Sequence, residues 1–103
     1  MIPELSEKMA EIRELCHRFG VSRLELFGSA AAGGFRVEDS DVDLLVEFQS
    51  PIPGTGYADR YFELLESLEQ LLGRRVDLVV DSAIRNPYFR EAVDRTRALL
   101  YAA

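Results

Sequence analysis

The chain has 103 residues and a mass of 11.6 kDa, with 48% apolar and 29% charged residues, the composition of a globular protein. It is read as one domain, residues 1–103, built around one core. Twelve basic residues stand against 18 acidic ones, a formal charge of -6, and such a surface repels a polyanion, so independent nucleic-acid binding is not expected.

No apolar run nears the roughly 20 residues of a membrane span, so no membrane partner is expected. The opening Met-Ile-Pro-Glu-Leu-Ser-Glu does not read as a secretory leader. The single cysteine, Cys16, excludes an internal disulfide and fits a cytoplasmic location, and with only His17 beside it there are too few soft ligands for zinc. Cys16 is expected in the core and His17 on the surface. Eleven of the twelve basic residues are arginine, which leaves a local anion site open.

In chain order, Leu5, Met9, Ile12, Cys16 and Phe19 recur at helical spacing and predict a helix over 3–19, stopped by Gly20. Residues 21–27, Val-Ser-Arg-Leu-Glu-Leu-Phe, alternate as a strand that ends on Gly28-Ser29, and the small-residue stretch 30–34 follows. Residues 41–48, Asp-Val-Asp-Leu-Leu-Val-Glu-Phe, read as a second strand, and 49–56 as a loop. A helix is predicted over 57–72, with Tyr57, Tyr61, Leu64, Leu65, Leu68, Leu71 and Leu72 on its apolar face and Gly73 closing it. Residues 75–80 read as a third strand. A last helix is predicted over 87–101, with Asn86 as N-cap and Pro87 at its first position.

Strand alternation separates two faces. Val42, Leu44, Val46 and Phe48 oppose Asp41, Asp43, Leu45 and Glu47; Val76, Leu78 and Val80 oppose Arg75, Asp77 and Val79. The expected fold class is therefore α+β: a small mixed sheet of three or more strands, with helices packed on one face and carboxylates on the other. Exposed strand edges make homo- or hetero-oligomers an expectation.

Asp41 and Asp43 project from one face roughly 7 Å apart along the strand. Asp77 occupies the corresponding face of the third strand, so in-register pairing would bring three carboxylates together. Two unit charges 4 Å apart at an effective dielectric of 20 repel by about 4 kcal/mol, so such a cluster calls for a cation or shared protons. Hard carboxylate oxygens suit Mg2+ together with phosphates. The plain alternative is an acidic pair on a solvated face. Gly28-Ser29 allows close approach of backbone and hydroxyl to a phosphate, but it is also an ordinary strand-to-helix turn.

In combination, Leu26-Phe-Gly-Ser29, Ser40-Asp-Val-Asp-Leu-Leu-Val46 and Val76-Asp-Leu-Val-Val80 resemble the DNA polymerase beta-type nucleotidyltransferases, and most closely the minimal nucleotidyltransferases that act as antitoxins beside HEPN-type toxins. The segment from Ala83 to Arg90 and the ending Leu99-Leu-Tyr-Ala102 are also similar to that family. The resemblance runs from about residue 20 onward and implies a palm-like fold. It implies that Asp41, Asp43 and Asp77 are catalytic and hold Mg2+, two ions in all, and that Asp77 helps to deprotonate the acceptor. It implies that Gly28 and Ser29 cradle the β- and γ-phosphates of ATP, and that AMP passes to a tyrosine hydroxyl of the toxin.

Two features depart from the pattern. Ala32 precedes Gly33 where relatives often carry Arg, although Arg36 could reach in, and the spacer between Ser29 and Asp41 is eleven residues, one longer than in many relatives. Both leave open an antitoxin that neutralises its toxin by contact alone. A third reading, nucleotide transfer to a small molecule, lacks any segment for a separate acceptor domain. Arg74-Arg75 could balance the carboxylates or form a solvated corner. Arg85, Arg90, Arg95 and Arg97 could dock an acidic partner or be simply solvated.

Overall fold

A computed structural model describes residues 3–32, 41–49 and 56–103. Residues 50–55 of the loop expected over 49–56, and Arg36 of the phosphate-side stretch, lie outside the described residues. The elements are α1 (Pro3–Glu7), α2 (Met9–Arg18), β1 (Val21–Phe27), α3 (Ser29–Ala32), β2 (Val42–Phe48), α4 (Tyr57–Leu72), β3 (Val76–Val80), a short 3-10 turn (Asp81–Ala83), α5 (Pro87–Thr96) and β4 (Ala98–Ala102).

The four strands form one mixed sheet in the order β3-β2-β1-β4. β1 is antiparallel to both β2 and β4, while β2 and β3 run parallel. A parallel pair needs a crossover, which α4 supplies between them. Leu24, Leu26, Val42, Leu44 and Val46 are fully buried on one face of the sheet, against Leu5, Ile12 and Cys16 from the first helices and Leu64 and Leu68 from α4. Burying one such leucine contributes about 1.5–3 kcal/mol. The α+β class and the main helical layer on this face are as expected, and burial pushes the Cys16 thiol up to about 12, the behaviour of an inert core cysteine.

The opposite face is not bare. Val93 of α5 is buried against Phe27 and Leu45, flanked by Val79 and Ile84, so α5 covers part of the carboxylate side. Leu45 is the apolar residue within the alternating acidic face, and it marks where this helix lands.

β2 and β3 each begin one residue later than expected, and three larger differences stand out. The helix expected over 3–19 breaks at Lys8 (φ −106°, ψ 10°), whose amide closes a tight turn on the Leu5 carbonyl at 3.2 Å. Residues 29–32 form the one-turn helix α3. The helix expected over 87–101 stops at Thr96: Arg97 takes an extended conformation (φ −62°, ψ 137°), and residues 98–102 pair with β1 as a fourth strand. The guanidinium of Arg97 donates to both carboxylate oxygens of Glu25, at 3.0 and 2.6 Å, and this fixes the turn. Leu100 is buried and Leu99 is 61% exposed, the alternation of a strand rather than the shared face of a helix.

Candidate active site

The parallel register between β2 and β3 sets Asp43 directly opposite Asp77, and the antiparallel register between β1 and β2 sets Phe27 opposite Asp43. The end of β1, the start of β2 and the start of β3 therefore meet at one end of the sheet. Asp41 stands two residues before Asp43, one position ahead of β2, and is exposed; Asp77 is exposed and Asp43 half-buried. Desolvation, then the charges of Asp77 and Asp41, push the Asp43 carboxyl up to about 6. The three carboxylates thus act on one another electrostatically, with Asp43 at the centre.

β1 ends on Gly28, which turns the chain with φ +71°, a conformation that an L side chain rarely adopts. A Cβ at this position would stand 2.3 Å from Oδ2 of Asp43. The missing side chain is therefore required both by the backbone and by the carboxylate beside it. Ser29, half-buried, opens α3. The Gly28 N–H does not point to open space: it donates to Oγ1 of Thr96 at 2.9 Å, at the end of α5.

Other groups border this region. The Tyr61 hydroxyl donates to the Leu78 carbonyl, and burial followed by the Asp77 charge raises its phenol above the ordinary range. Glu47 lies farther along β2 and accepts from the Ser82 hydroxyl at 3.1 Å. Asp81 accepts from Arg90 at 2.6 Å and Arg97 at 2.9 Å. Burial alone would raise its carboxyl, but these bonds outweigh that and hold it below the usual range. Arg90 and Arg97 are therefore engaged within the protein, which answers the question left open for them in the sequence.

The donor set is chemically suited to a hard cation: three carboxylates, one of them held above its ordinary pKa by desolvation and then by the charges of its neighbours, a repulsion that a divalent ion would relieve. Among the described residues, no group of three or more His, Cys, Asp or Glu side chains is closed around a position for a metal ion. Substrate phosphate oxygens would have to complete any shell, as is usual for Mg2+. No described helix is long and apolar enough to cross a membrane.

Sequence reasoning did not single out Thr96 or the Glu25–Arg97 pair. Thr96 reads as one more residue of an amphipathic helix, and only the close of α5 over Gly28, 68 residues away in sequence, gives its hydroxyl a role.

A palm-like mixed sheet with three carboxylates at the strand ends beside a Gly-Ser turn defines a nucleotidyltransferase architecture. Residues 9–99 match the nucleotidyltransferase domain family, and the chain belongs to it. The protein adenylyltransferase MntA of Thermococcus cleftensis is 47% identical over 77 residues, covering 75% of this chain and 73% of that protein. A solved structure assigned as a minimal nucleotidyltransferase superposes with a TM-score of 0.74 at 37% identity, covering 91% of this chain and 90% of the other. A chain from the complex of tri-AMPylated Shewanella oneidensis HEPN toxin with MNT antitoxin shares the fold at a TM-score of 0.64 and 20% identity, covering 95% and 72%.

Proposed function

We propose that this chain is the antitoxin of a HEPN-type toxin and transfers AMP from ATP to a tyrosine hydroxyl of that toxin, releasing pyrophosphate. The observation that carries the reading is the pairing of Asp43 with Asp77 beside the Gly28 turn, a site open to a large acceptor because Asp41 and Asp77 are exposed. The similarity to a protein named as an adenylyltransferase supports the reaction, and the fold shared with an antitoxin from an AMPylated toxin complex supports the partner.

In this reading Asp41, Asp43 and Asp77 hold Mg2+, two ions in all, which when bound would neutralise the triphosphate and the departing pyrophosphate. Asp41 and Asp43 would hold the ions that bind the triphosphate. Ser29 offers its hydroxyl to the β- and γ-phosphates, and Gly28, with its left-handed φ, turns the chain so that Ser29 meets them. Asp77 accepts the phenolic proton as the tyrosine oxygen attacks the α-phosphorus. The new phosphorus–oxygen bond forms as the bond between the α-phosphorus and its bridging oxygen breaks, so no covalent enzyme intermediate is needed. Positioning and charge neutralisation supply the rate.

The test is AMP transfer from labelled ATP to a purified HEPN-type toxin, with wild type and with Asp77→Asn, in the presence of Mg2+ or of EDTA. Label on the toxin that requires wild type and Mg2+ is the expected result. No label under any condition, with the toxin still inhibited, would overturn the reading in favour of neutralisation by contact, the outcome that Ala32 in place of an arginine would fit.

A further inference from the structure

We propose that Thr96 is a positioning residue for the Gly28–Ser29 turn, an inference that rests on the nucleotidyl-transfer reading above. The Gly28 N–H donates to Oγ1 of Thr96 at 2.9 Å. The same oxygen lies 3.4 Å from the Val93 carbonyl and 3.5 Å from the Ala92 carbonyl. The hydroxyl proton is thus directed back into its own helix, and a lone pair is left for Gly28.

Gly28 is held from two sides. Thr96 takes its amide, and Asp43 fills the space where its side chain would be. Thr96 is itself fixed by its neighbours: Val93 is buried against Phe27 and Leu45, and Arg97 is bonded to Glu25 and Asp81. The end of α5 therefore behaves as a rigid support for the turn. This changes the part that Gly28 plays. Its amide is committed to the protein and the space beside its Cα is taken by Asp43, so its contribution to a bound triphosphate is the direction it gives the chain into Ser29.

Thr96→Val keeps the shape but removes the acceptor, leaving a partly buried N–H unpaired. Thr96→Ser keeps the acceptor. The Gly28 amide is followed by NMR hydrogen exchange, ATP affinity by calorimetry with Mg2+ present, and kcat and KM for ATP with a HEPN-type toxin as acceptor. In Thr96→Val, the Gly28 amide is expected to exchange about tenfold faster and KM for ATP to rise about tenfold, with a smaller change in kcat and a folded far-UV spectrum. Thr96→Ser is expected to restore both readouts. A Thr96→Val protein whose Gly28 amide or ATP affinity matches wild type overturns the proposal alone. A wild-type protein that binds no ATP overturns the transfer reading, and this proposal with it.

Discussion

Gly28 and Asp43 touch across the β1–β2 pair: a Cβ on Gly28 would lie 2.3 Å from Oδ2 of Asp43 and 3.2 Å from its Cγ. The turn and the carboxylate are thus one unit, and changing the first displaces the second. Gly28→Ala carries a left-handed backbone penalty of roughly 1–2 kcal/mol. At about 4–8 °C per kcal/mol for a domain of this size, the melting temperature should fall visibly. Transfer activity should fall further than the unfolded fraction explains, because the carboxylate must move. A melting curve beside a single-temperature activity assay separates the two effects.

Asp43 gives a pH signature. Its carboxyl is pushed up to about 6 in the fold, above its ordinary value of 3.8, so the native state holds this proton more tightly than the unfolded chain does. The stabilising contribution is present at acid pH and is lost as pH rises through about 6. In EDTA, Asp43→Asn should therefore melt higher than wild type at pH 8 and close to it at pH 4; with Mg2+ present it should lose transfer activity. An equal shift at both pH values would contradict a carboxyl raised by desolvation and by the charges of Asp77 and Asp41.

Arg97 closes the end of α5 onto the sheet. The Glu25 side chain is only 9% exposed and is bonded by Arg97 at both oxygens. Arg97→Met leaves that carboxylate with only the longer 3.6 Å contact to Arg23 and also removes the Arg97 pairs with Asp81 and Asp94, so stability should fall by about 3 kcal/mol. Urea denaturation should show this loss, and adding Glu25→Gln should recover part of it. A double variant no more stable than Arg97→Met would refute the pairing as the cause.

Asn86 caps α5 by accepting from the amides of Tyr88 and Phe89 at 2.8 and 3.1 Å. Asn86→Ala should cost about 1 kcal/mol, read as a lower urea midpoint with an unchanged slope.

The face that carries the carboxylates was legible in the sequence, because a period of two puts Asp41, Asp43 and Asp77 opposite Val42, Leu44, Val76 and Leu78 whatever the pairing. The Asn86 cap and the ends of α4 were legible for the same local reason. The register was not: placing Asp43 against Asp77 depends on how far the α4 crossover carries the chain. β4 was missed because Phe89, Ala92, Val93, Thr96, Leu99 and Leu100 fit a helical face as well as they fit a helix followed by a strand. What decides between them is Glu25, 72 residues from Arg97 in sequence. The Thr96–Gly28 bond was out of reach for the same reason.

The central claim, metal-dependent AMP transfer from a carboxylate site, is tested most directly by the intact mass of a co-purified HEPN-type partner after incubation with ATP and Mg2+. Wild type is run beside Asp41→Asn/Asp43→Asn. The account predicts AMP-sized additions with wild type only, mapping by peptide analysis to a tyrosine. A partner that stays bound, inhibited and unmodified with both proteins would contradict it.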